Sequence, residues 1–227
     1  MRLLLLSNST QFGRAYLEHA EDVVRDHLDG VDRLLFVPFA LHDRDGYAAK
    51  VRERFAEWSI AVASLHDADD PVAAVRDARA VFVGGGNSFR LLRALQDRGL
   101  LGVLRARVRE GMPYMGASAG SNMACPTIRT TNDMPIVEPA GFAALGVIPF
   151  QLNPHYLDPA PDSEHMGETR ETRILEFLED NDVPVLGLRE GGWIVRRGDE
   201  LRLAGQRAAR LFRPGAEPVE IESPADL

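Results

Sequence analysis

The stretch Met112–Ala124, MPYMGASAGSNMA, contains the turn on which the fold and the chemistry of this chain depend. Its first half is short and apolar, as in a buried strand, and its second half consists of small residues that can begin a helix. Between the two halves, Gly116–Gly120 matches the pattern G-x-S-x-G. A strand, turn and helix of this kind hold the serine in a sharp bend and expose its hydroxyl. The pattern therefore predicts that Ser118 is a nucleophile at the carboxyl end of a strand.

The alternation of strand and helix continues on the amino-terminal side of this turn. Segments with helical spacing of apolar residues separate four further apolar runs, which are Leu3–Leu6, Leu34–Phe39, Ile60–Leu65 and Ala80–Val83. Strands that are apolar throughout and alternate with helices indicate a parallel sheet covered on both faces. The predicted fold class is α/β, with a doubly wound, mostly parallel sheet and helices on both faces.

The last third of the chain predicts an antiparallel C-terminal extension. A helix and one more buried strand, Pro184–Leu188, precede a hairpin formed by Trp193–Arg196 and Glu200–Leu203. We expect two later segments to extend the antiparallel edge of this hairpin, namely Leu211–Arg213 and Val219–Ile221.

Length and composition limit the class of protein. At about 150 residues per domain, 227 residues favour one α/β domain over residues 1–227. The 26 basic and 34 acidic residues give a net charge of −8, which argues against nucleic acid as a partner. Cys125 is the only cysteine, which excludes an intramolecular disulfide and a thiolate metal cluster. The run Leu3–Leu6 is too short for a signal sequence and no stretch is long enough for a membrane span, so we expect a cytoplasmic protein without a membrane partner.

A nucleophilic serine needs a base, and His155 is the preferred candidate. It follows the apolar run Val147–Leu152. In α/β sheets, binding and active sites lie just beyond the carboxyl ends of the strands. His165 is the alternative base. The other histidines lie on predicted amphipathic helices or in polar loops, where exposure to solvent explains them.

The third member of a triad should be a carboxylate that fixes the tautomer of the imidazole. Asp133, in the polar loop Thr130–Pro135, is the preferred candidate, and Glu138 and Asp158 remain alternatives. The chain order of serine, aspartate and histidine is that of the α/β-hydrolases. The three residues lie much closer together in the sequence than in those enzymes, however, and the chain has no HGGG motif. The pattern therefore indicates a different kind of hydrolase.

A second glycine-rich turn, Gly84–Ser88 (GGGNS), follows a predicted strand and opens a helix. It lacks the spacing of a dinucleotide-binding fingerprint and the lysine of a phosphate-binding loop. Glycine amides can approach a reacting carbonyl closely, so we interpret Gly85 and Gly86 as one half of an oxyanion hole and the amide of Ala119 as the other half. No set of metal ligands accompanies these motifs in the sequence, so we expect no bound metal.

Five motifs, in this order, resemble those of the peptidase E family of α-aspartyl dipeptidases: Gly84–Phe89 (GGGNSF), Gly116–Asn122 (GASAGSN), Thr131–Ile136 (TNDMPI), Asn153–Tyr156 (NPHY) and Gly167–Arg170 (GETR). The segment Leu188–Gly191 (LREG) extends the resemblance. The chain departs from the family in having serine where GGGNSF commonly has threonine, and the stretch between NPHY and GETR aligns only loosely.

The resemblance implies a serine peptidase with a class I glutamine amidotransferase-like fold that needs no metal or organic cofactor. It implies that Ser118 is the nucleophile, His155 the base and Asp133 its orienter, and that Arg170 receives the substrate aspartate. The expected partner is a small peptide, Asp-X, with a free N-terminus, and a homodimer is left open. An arginine in the first turn of a helix faces the positive end of the helix dipole, which is mildly unfavourable for a cation. An arginine at this position is therefore expected to bind a carboxylate.

The sequence leaves two other functions open. A cyanophycinase-like hydrolase of β-aspartyl-arginine would share the scaffold, but it would need a more open groove than the sequence indicates. A non-catalytic sensor of small molecules would be expected to lack a member of the triad. Activity on Asp-Leu against β-Asp-Arg, and labelling of Ser118 by a serine-reactive reagent, distinguish these functions from a dipeptidase.

Overall fold

The computed structural model describes residues 1–159 and 167–227, in which the strands form two β-sheets. Numbered along the chain, the strands are β1 (Arg2–Leu6), β2 (Arg33–Val37), β3 (Ala61–Ser64), β4 (Val81–Val83), β5 (Tyr114–Ala117), β6 (Gln151–Pro154), β7 (Val185–Leu188), β8 (Gly192–Arg197), β9 (Glu200–Gly205), β10 (Ala209–Phe212), β11 (Val219–Ile221) and β12 (Ala225–Asp226).

The α-helices are α1 (Glu21–His27), α2 (Arg44–Ala56), α3 (Pro71–Asp77), α4 (Ser88–Asp97), α5 (Leu100–Arg109), α6 (Ala119–Asn122) and α7 (Arg170–Asp180). Two of them begin with side-chain caps that matter for the site: Asp43 accepts a hydrogen bond from the Gly46 amide at the start of α2, and Thr169 accepts one from the Thr172 amide at the start of α7. None of the helices described in residues 1–159 and 167–227 has both the length and the apolar character to cross a membrane.

The larger sheet has eight strands in the order β12-β9-β8-β1-β5-β4-β2-β3. From β1 to β3 all neighbours are parallel, and β8, β9 and β12 form the antiparallel edge. This confirms the predicted parallel sheet and the predicted hairpin.

Helices cover the two faces of the larger sheet because its strands are apolar on both sides. Along β1, Leu3 and Leu5 pack in one core cluster and Leu4 and Leu6 in another, as the alternation of side chains along a strand requires. Apolar residues of α1 and α2 join Leu4 and Leu6, whereas those of α3, α4 and α5 join Leu3 and Leu5. The order of strands and the helices on both faces are those of the predicted doubly wound fold.

A smaller sheet of four strands, in the order β11-β10-β7-β6, differs from the expectation. Leu211–Arg213 and Val219–Ile221 were expected to extend the hairpin, but β10 pairs with β7 and β11 with β10. Strand β12 covers the outer edge of the hairpin instead. The fully buried β7 pairs with β6 along one edge, and β10 pairs with its other edge. Leu152, Leu186 and Leu188 of this sheet face the Leu3 and Leu5 cluster, and α7 packs on its other face through Ile174.

Candidate active site

Three neighbouring strands of the larger sheet have their carboxyl ends side by side. Because β5 lies between β1 and β4 and all three are parallel, their carboxyl ends deliver Ser7, Ser118 and the Gly84–Gly86 turn to the same place. The smaller sheet brings His155 to this place from β6. The candidate site therefore lies at the carboxyl ends of the parallel strands.

Ser118 sits in a bend between β5 and α6 that few residues adopt. Its φ is 51° and its ψ is −109°, and its amide donates a hydrogen bond to the carbonyl of Leu6 at 3.0 Å. The glycine at 120 is required because a Cβ there would overlap the carbonyl oxygen of Val83. A non-glycine residue held at positive φ is strained, and the packing of small residues around the bend maintains this strain. The motif thus forms the tight turn expected of a nucleophile.

His155 contacts the serine directly. Its Nε2 lies 2.9 Å from Ser118 Oγ, and its own backbone is held at a φ of 55°. The amide of His155 donates to Ser7 Oγ at 2.9 Å, and that hydroxyl donates to the carbonyl of Leu188 at 2.8 Å. Ser7 therefore ties the histidine to both sheets, and the position of Ser7 directly after a strand is the one feature of the sequence that indicates this contact.

The carboxylate next to the histidine is Glu190. Its Oε1 lies 2.7 Å from His155 Nδ1. The strands β6 and β7 are parallel with Pro154 opposite Leu188, so the residues that follow each strand arrive together. Gly191 is held by Asn8, whose Oδ1 accepts its amide at 2.9 Å. The position of Glu190 after a predicted buried strand was the available signal for its role.

The prediction that Asp133 orients His155 is corrected by this geometry. Asp133 Oδ2 accepts hydrogen bonds from the Ser88 amide at 2.7 Å and from the Thr131 hydroxyl at 2.9 Å. This oxygen is therefore occupied on the α4 side of the site. Neither of the alternatives is bonded to His155 either. Asp158 forms a pair with Arg189, which holds the pKa of this carboxyl below its usual value, and Glu138 is exposed. His165, the alternative base, lies outside the described residues.

The glycine turn lies against the serine as predicted. A Cβ built on Gly85 would lie 3.3 Å from Ser118 Cβ and 3.1 Å from the Ala117 carbonyl, so only glycine allows this approach without displacement. Gly86 has a φ of 134°. Within residues 1–159 and 167–227, the amides of Gly86 and Ala119 donate to no protein acceptor. Among the described residues, no protein acceptor therefore occupies either amide.

A cleft of about 750 Å³ opens in front of Ser118 and His155. Among the residues that the structure describes, its charged lining residues are the cations Arg170 and Lys50 and the acids Asp43 and Asp133. Partial burial and the neighbouring Arg173 lower the pKa of Arg170. The Asp133 carboxylate partly offsets this effect, so Asp133 and Arg170 interact electrostatically. The cleft can therefore receive a small ligand that carries charges of both signs.

Two other reactive groups lie away from the cleft. Burial raises the pKa of Cys125 to about 12 and leaves its thiol protonated and inaccessible. In the part of the chain that the structure describes, one set of three residues places possible metal-ligand atoms within 4.8 Å of one another, and it consists of Asp45, His66 and Asp67. None of these three lines the cleft.

Comparison with known proteins extends these observations. The family described as Peptidase family S51 matches residues 3–204 of the chain. A protein of Streptomyces coelicolor named Peptidase E is 61% identical over 227 residues, which are all of this chain and 93% of that one. A protein of Drosophila melanogaster named "Probable alpha-aspartyl dipeptidase" is 47% identical over 99% of this chain and 95% of its own length.

The fold has counterparts among solved structures. The crystal structure of a peptidase from an acI-B1 Actinobacterium superposes with a TM-score of 0.71, at 17% identity, over 100% of this chain and 96% of that one. At such low identity the likeness concerns the fold alone. It agrees with the class I glutamine amidotransferase-like α/β fold expected from the motifs.

Proposed function

Because the chain belongs to peptidase family S51 and is a serine-type dipeptidase, we propose that it hydrolyses dipeptides with a free N-terminal aspartate through Ser118, His155 and Glu190. The observation that carries the proposal is the continuous hydrogen-bonded chain from Ser118 Oγ through His155 to Glu190, with contacts of 2.9 and 2.7 Å, in which Ser118 and His155 line the cleft. The resemblance to peptidase E seen in the sequence is confirmed by the family and by the relatives.

In the proposed reaction, His155 Nε2 takes the proton of the Ser118 hydroxyl as Oγ attacks the scissile carbonyl. The carbonyl oxygen becomes an oxyanion, and we assign its binding to the amides of Gly86 and Ala119, which donate to no protein acceptor among the described residues, with Gly85 alongside. Collapse of the tetrahedral intermediate breaks the peptide bond, and His155 returns the proton to the leaving amine. Water then attacks the aspartyl ester on Ser118 with the same histidine as base, which releases aspartate and restores the enzyme.

Glu190 has a positioning role in this scheme. When Nε2 accepts the serine proton, Nδ1 must carry the other hydrogen, and that N–H donates to Glu190 Oε1. The carboxylate fixes this tautomer and stabilises the imidazolium that forms during attack. Ser7 and Asn8 support the arrangement, because one binds the backbone of His155 and the other the amide next to Glu190.

Arg170 and Asp133 are suited to read the first residue of the substrate. In the proposed complex, Arg170 binds the β-carboxylate of the aspartate, since a guanidinium can hold a carboxylate with two hydrogen bonds. Asp133 and Arg170 line the same cleft, and the Asp133 carboxylate partly offsets the lowering of the Arg170 pKa by burial and Arg173. In the substrate, the α-ammonium lies near the β-carboxylate of the same residue. We therefore assign to Asp133 the binding of the free amine in place of the role first predicted for it.

The two alternatives from the sequence are less well supported. The relatives carry the names of peptidases and of a dipeptidase, which favours peptide hydrolysis over cleavage of β-aspartyl-arginine and over a sensor. We further propose a cytoplasmic location, as expected from the short apolar run Leu3–Leu6, and no nucleic-acid partner, as expected from the net charge of −8. No organic cofactor or metal takes part in the proposed reaction.

The test is a substrate panel with the purified enzyme. We expect hydrolysis of Asp-Leu, and cleavage slower by about 100-fold or more for Asn-Leu, Glu-Leu, N-acetyl-Asp-Leu and β-Asp-Arg, because each loses a charge contact or misplaces the carbonyl. A serine-reactive phosphonate should label Ser118 and no other residue. Preferential cleavage of β-Asp-Arg, or labelling without any peptidase activity, would contradict the proposal.

A further inference from the structure

The use of basic residues in this chain is almost exclusive to arginine. Of the 26 basic residues, 25 are arginine and one is lysine, and that lysine is Lys50. It lies at the rim of the cleft that contains Ser118. A chain that uses arginine everywhere else has one side-chain ammonium group, and this group lines the cleft that contains Ser118 and His155. The placement calls for a function that a compact ammonium serves better than a planar guanidinium.

Lys50 is held at the rim by an aromatic contact. Its Nζ lies 4.6 Å from the centre of the Tyr16 ring, and the Tyr16 hydroxyl lies 3.4 Å from that of Tyr47. Tyr47 in turn packs against Gly84 at the start of the glycine turn. Contact between a cation and an aromatic face limits where the ammonium can move. Lys50 is therefore kept on the glycine-turn side of Ser118 while its head group remains exposed to the cleft.

Lys50 and Arg170 reach the cleft from opposite faces of the larger sheet. Helix α2, which carries Lys50, packs on the face with Leu4 and Leu6. Helix α7, which begins with Arg170, packs on the smaller sheet, and that sheet covers the face with Leu3 and Leu5. Ser118 follows β5 in the middle of the larger sheet. The two cations of the cleft lining thus flank the nucleophile.

A dipeptide with N-terminal aspartate has a matching distribution of charge. Its β-carboxylate and its C-terminal carboxylate stand on opposite sides of the scissile bond, separated from the scissile carbon by the same number of bonds. If Arg170 holds the β-carboxylate, the second carboxylate must lie on the other side of Ser118. In a protein with a net charge of −8, that carboxylate also needs a local cation.

We propose that Lys50 binds the C-terminal carboxylate of the dipeptide and thereby restricts the enzyme to substrates of two residues. This inference rests on the proposed function, because it assumes that an Asp-X substrate is attacked by Ser118. In a longer peptide, an uncharged peptide group replaces the carboxylate next to Lys50. The exposed ammonium then loses its partner, and the substrate binds less well in the transition state.

The test compares three substrates that differ only beyond the scissile bond: Asp-Leu, Asp-Leu amide, and aspartate p-nitroanilide, which has no C-terminal carboxylate. For the wild-type enzyme we expect kcat/KM to be about 10- to 100-fold higher for Asp-Leu than for its amide, the range that a charge-assisted contact provides. Lys50→Met should lower kcat/KM for Asp-Leu by that factor. It should leave the amide and the anilide within about twofold of wild type.

Two further variants make the comparison specific. Arg52→Met removes a cation from the same helix, but Arg52 points away from the cleft and pairs with Asp67 at 2.7 Å, so all three substrates should be cut as by wild type. Lys50→Arg should recover only part of the preference for Asp-Leu, because a guanidinium has a different shape and reach.

The possible results separate this inference from the proposed function. Equal loss of all three substrates in a folded Lys50→Met enzyme would overturn it, because such a loss shows a general role in structure or catalysis. Cleavage of the anilide by wild type without discrimination between Asp-Leu and its amide would overturn the role of Lys50 and leave the proposed function intact. Failure of wild type to cut any aspartyl substrate would overturn both.

Discussion

His66 and His155 are each held between a serine hydroxyl and a carboxylate. His155 contacts Ser118 Oγ at 2.9 Å and Glu190 at 2.7 Å. His66 contacts Ser64 Oγ at 2.7 Å through Nδ1 and Asp45 at 2.9 Å through Nε2. By residue type and distance the two sets are almost the same, although only the first lines the cleft.

The two sets differ in the backbone that carries the serine. Ser64 ends β3 in ordinary extended conformation, with a φ of −103° and a ψ of 133°, and is 4% exposed. Ser118 is held at positive φ with the Gly85 backbone against it and unpaired amides nearby. A serine, a histidine and a carboxylate at hydrogen-bond distance therefore do not make an active site. A strained, accessible turn with amides placed for an oxyanion is also needed.

The largest expected effect separates the two serines. Ser118→Ala should reduce kcat for Asp-Leu by about 10⁶-fold, since loss of a triad nucleophile removes covalent catalysis. Ser64→Ala should leave kcat within about twofold and lower the free energy of unfolding by about 1 kcal/mol, the usual value of one hydrogen bond. Steady-state kinetics and urea denaturation measure the two effects. A Ser118→Ala enzyme with activity within tenfold of wild type would remove the basis of the comparison.

The carboxylates provide the next largest difference. Glu190→Gln should lower kcat by about 10³- to 10⁴-fold, including that for aspartate p-nitroanilide, because an amide cannot enforce the tautomer that His155 needs. The matched change Asp45→Asn, beside His66, should leave kcat unchanged. Asp133→Asn should act mainly on substrates with a free amine. If Asp133→Asn instead matched the loss of Glu190→Gln on every substrate, the original prediction for Asp133 would be restored.

A smaller effect concerns the charge in front of the catalytic set. Arg170→Ala should lower kcat/KM for Asp-Leu by about 10²-fold and leave Asn-Leu almost unchanged, because only the aspartate loses a charge-assisted contact. Arg170→Lys should restore part of the preference, since a point charge cannot match a bidentate fork. The ratio of kcat/KM for the two dipeptides is the measurement. The same preference in Arg170→Ala and wild type would place the specificity pocket elsewhere.

The smallest expected effect concerns metal removal. In residues 1–159 and 167–227, the ligand set close enough to share a metal is that around His66, and it does not line the cleft. Treatment with EDTA should therefore change kcat/KM by less than about twofold. A large loss that zinc reverses would link the His66 set to catalysis and contradict the contrast drawn between the two histidines.

The sequence predicted the parts of the site that depend on local chain geometry. Ser118 was found from its small neighbours, because the sharp turn needs them, and His155 from its place after an apolar run. Glu190 is not predicted, although it lies in the segment Leu188–Gly191 and follows a predicted buried strand, because that place does not show which strand lies beside it. The pairing of β6 with β7 decides that relation, and pairing between strands distant in sequence leaves no local pattern.

The sequence by itself determined the α/β class and the parallel strands, and it predicted the turn at Ser118, the place of His155 and the glycine turn, because each follows from hydrophobic spacing or from a turn that few residues can form. The tertiary structure decided which carboxylate meets His155 and which strands form the smaller sheet. It also placed Lys50 and Arg170 on opposite sides of Ser118. These features depend on which elements lie side by side after folding, and many arrangements of the same elements would satisfy the same local patterns.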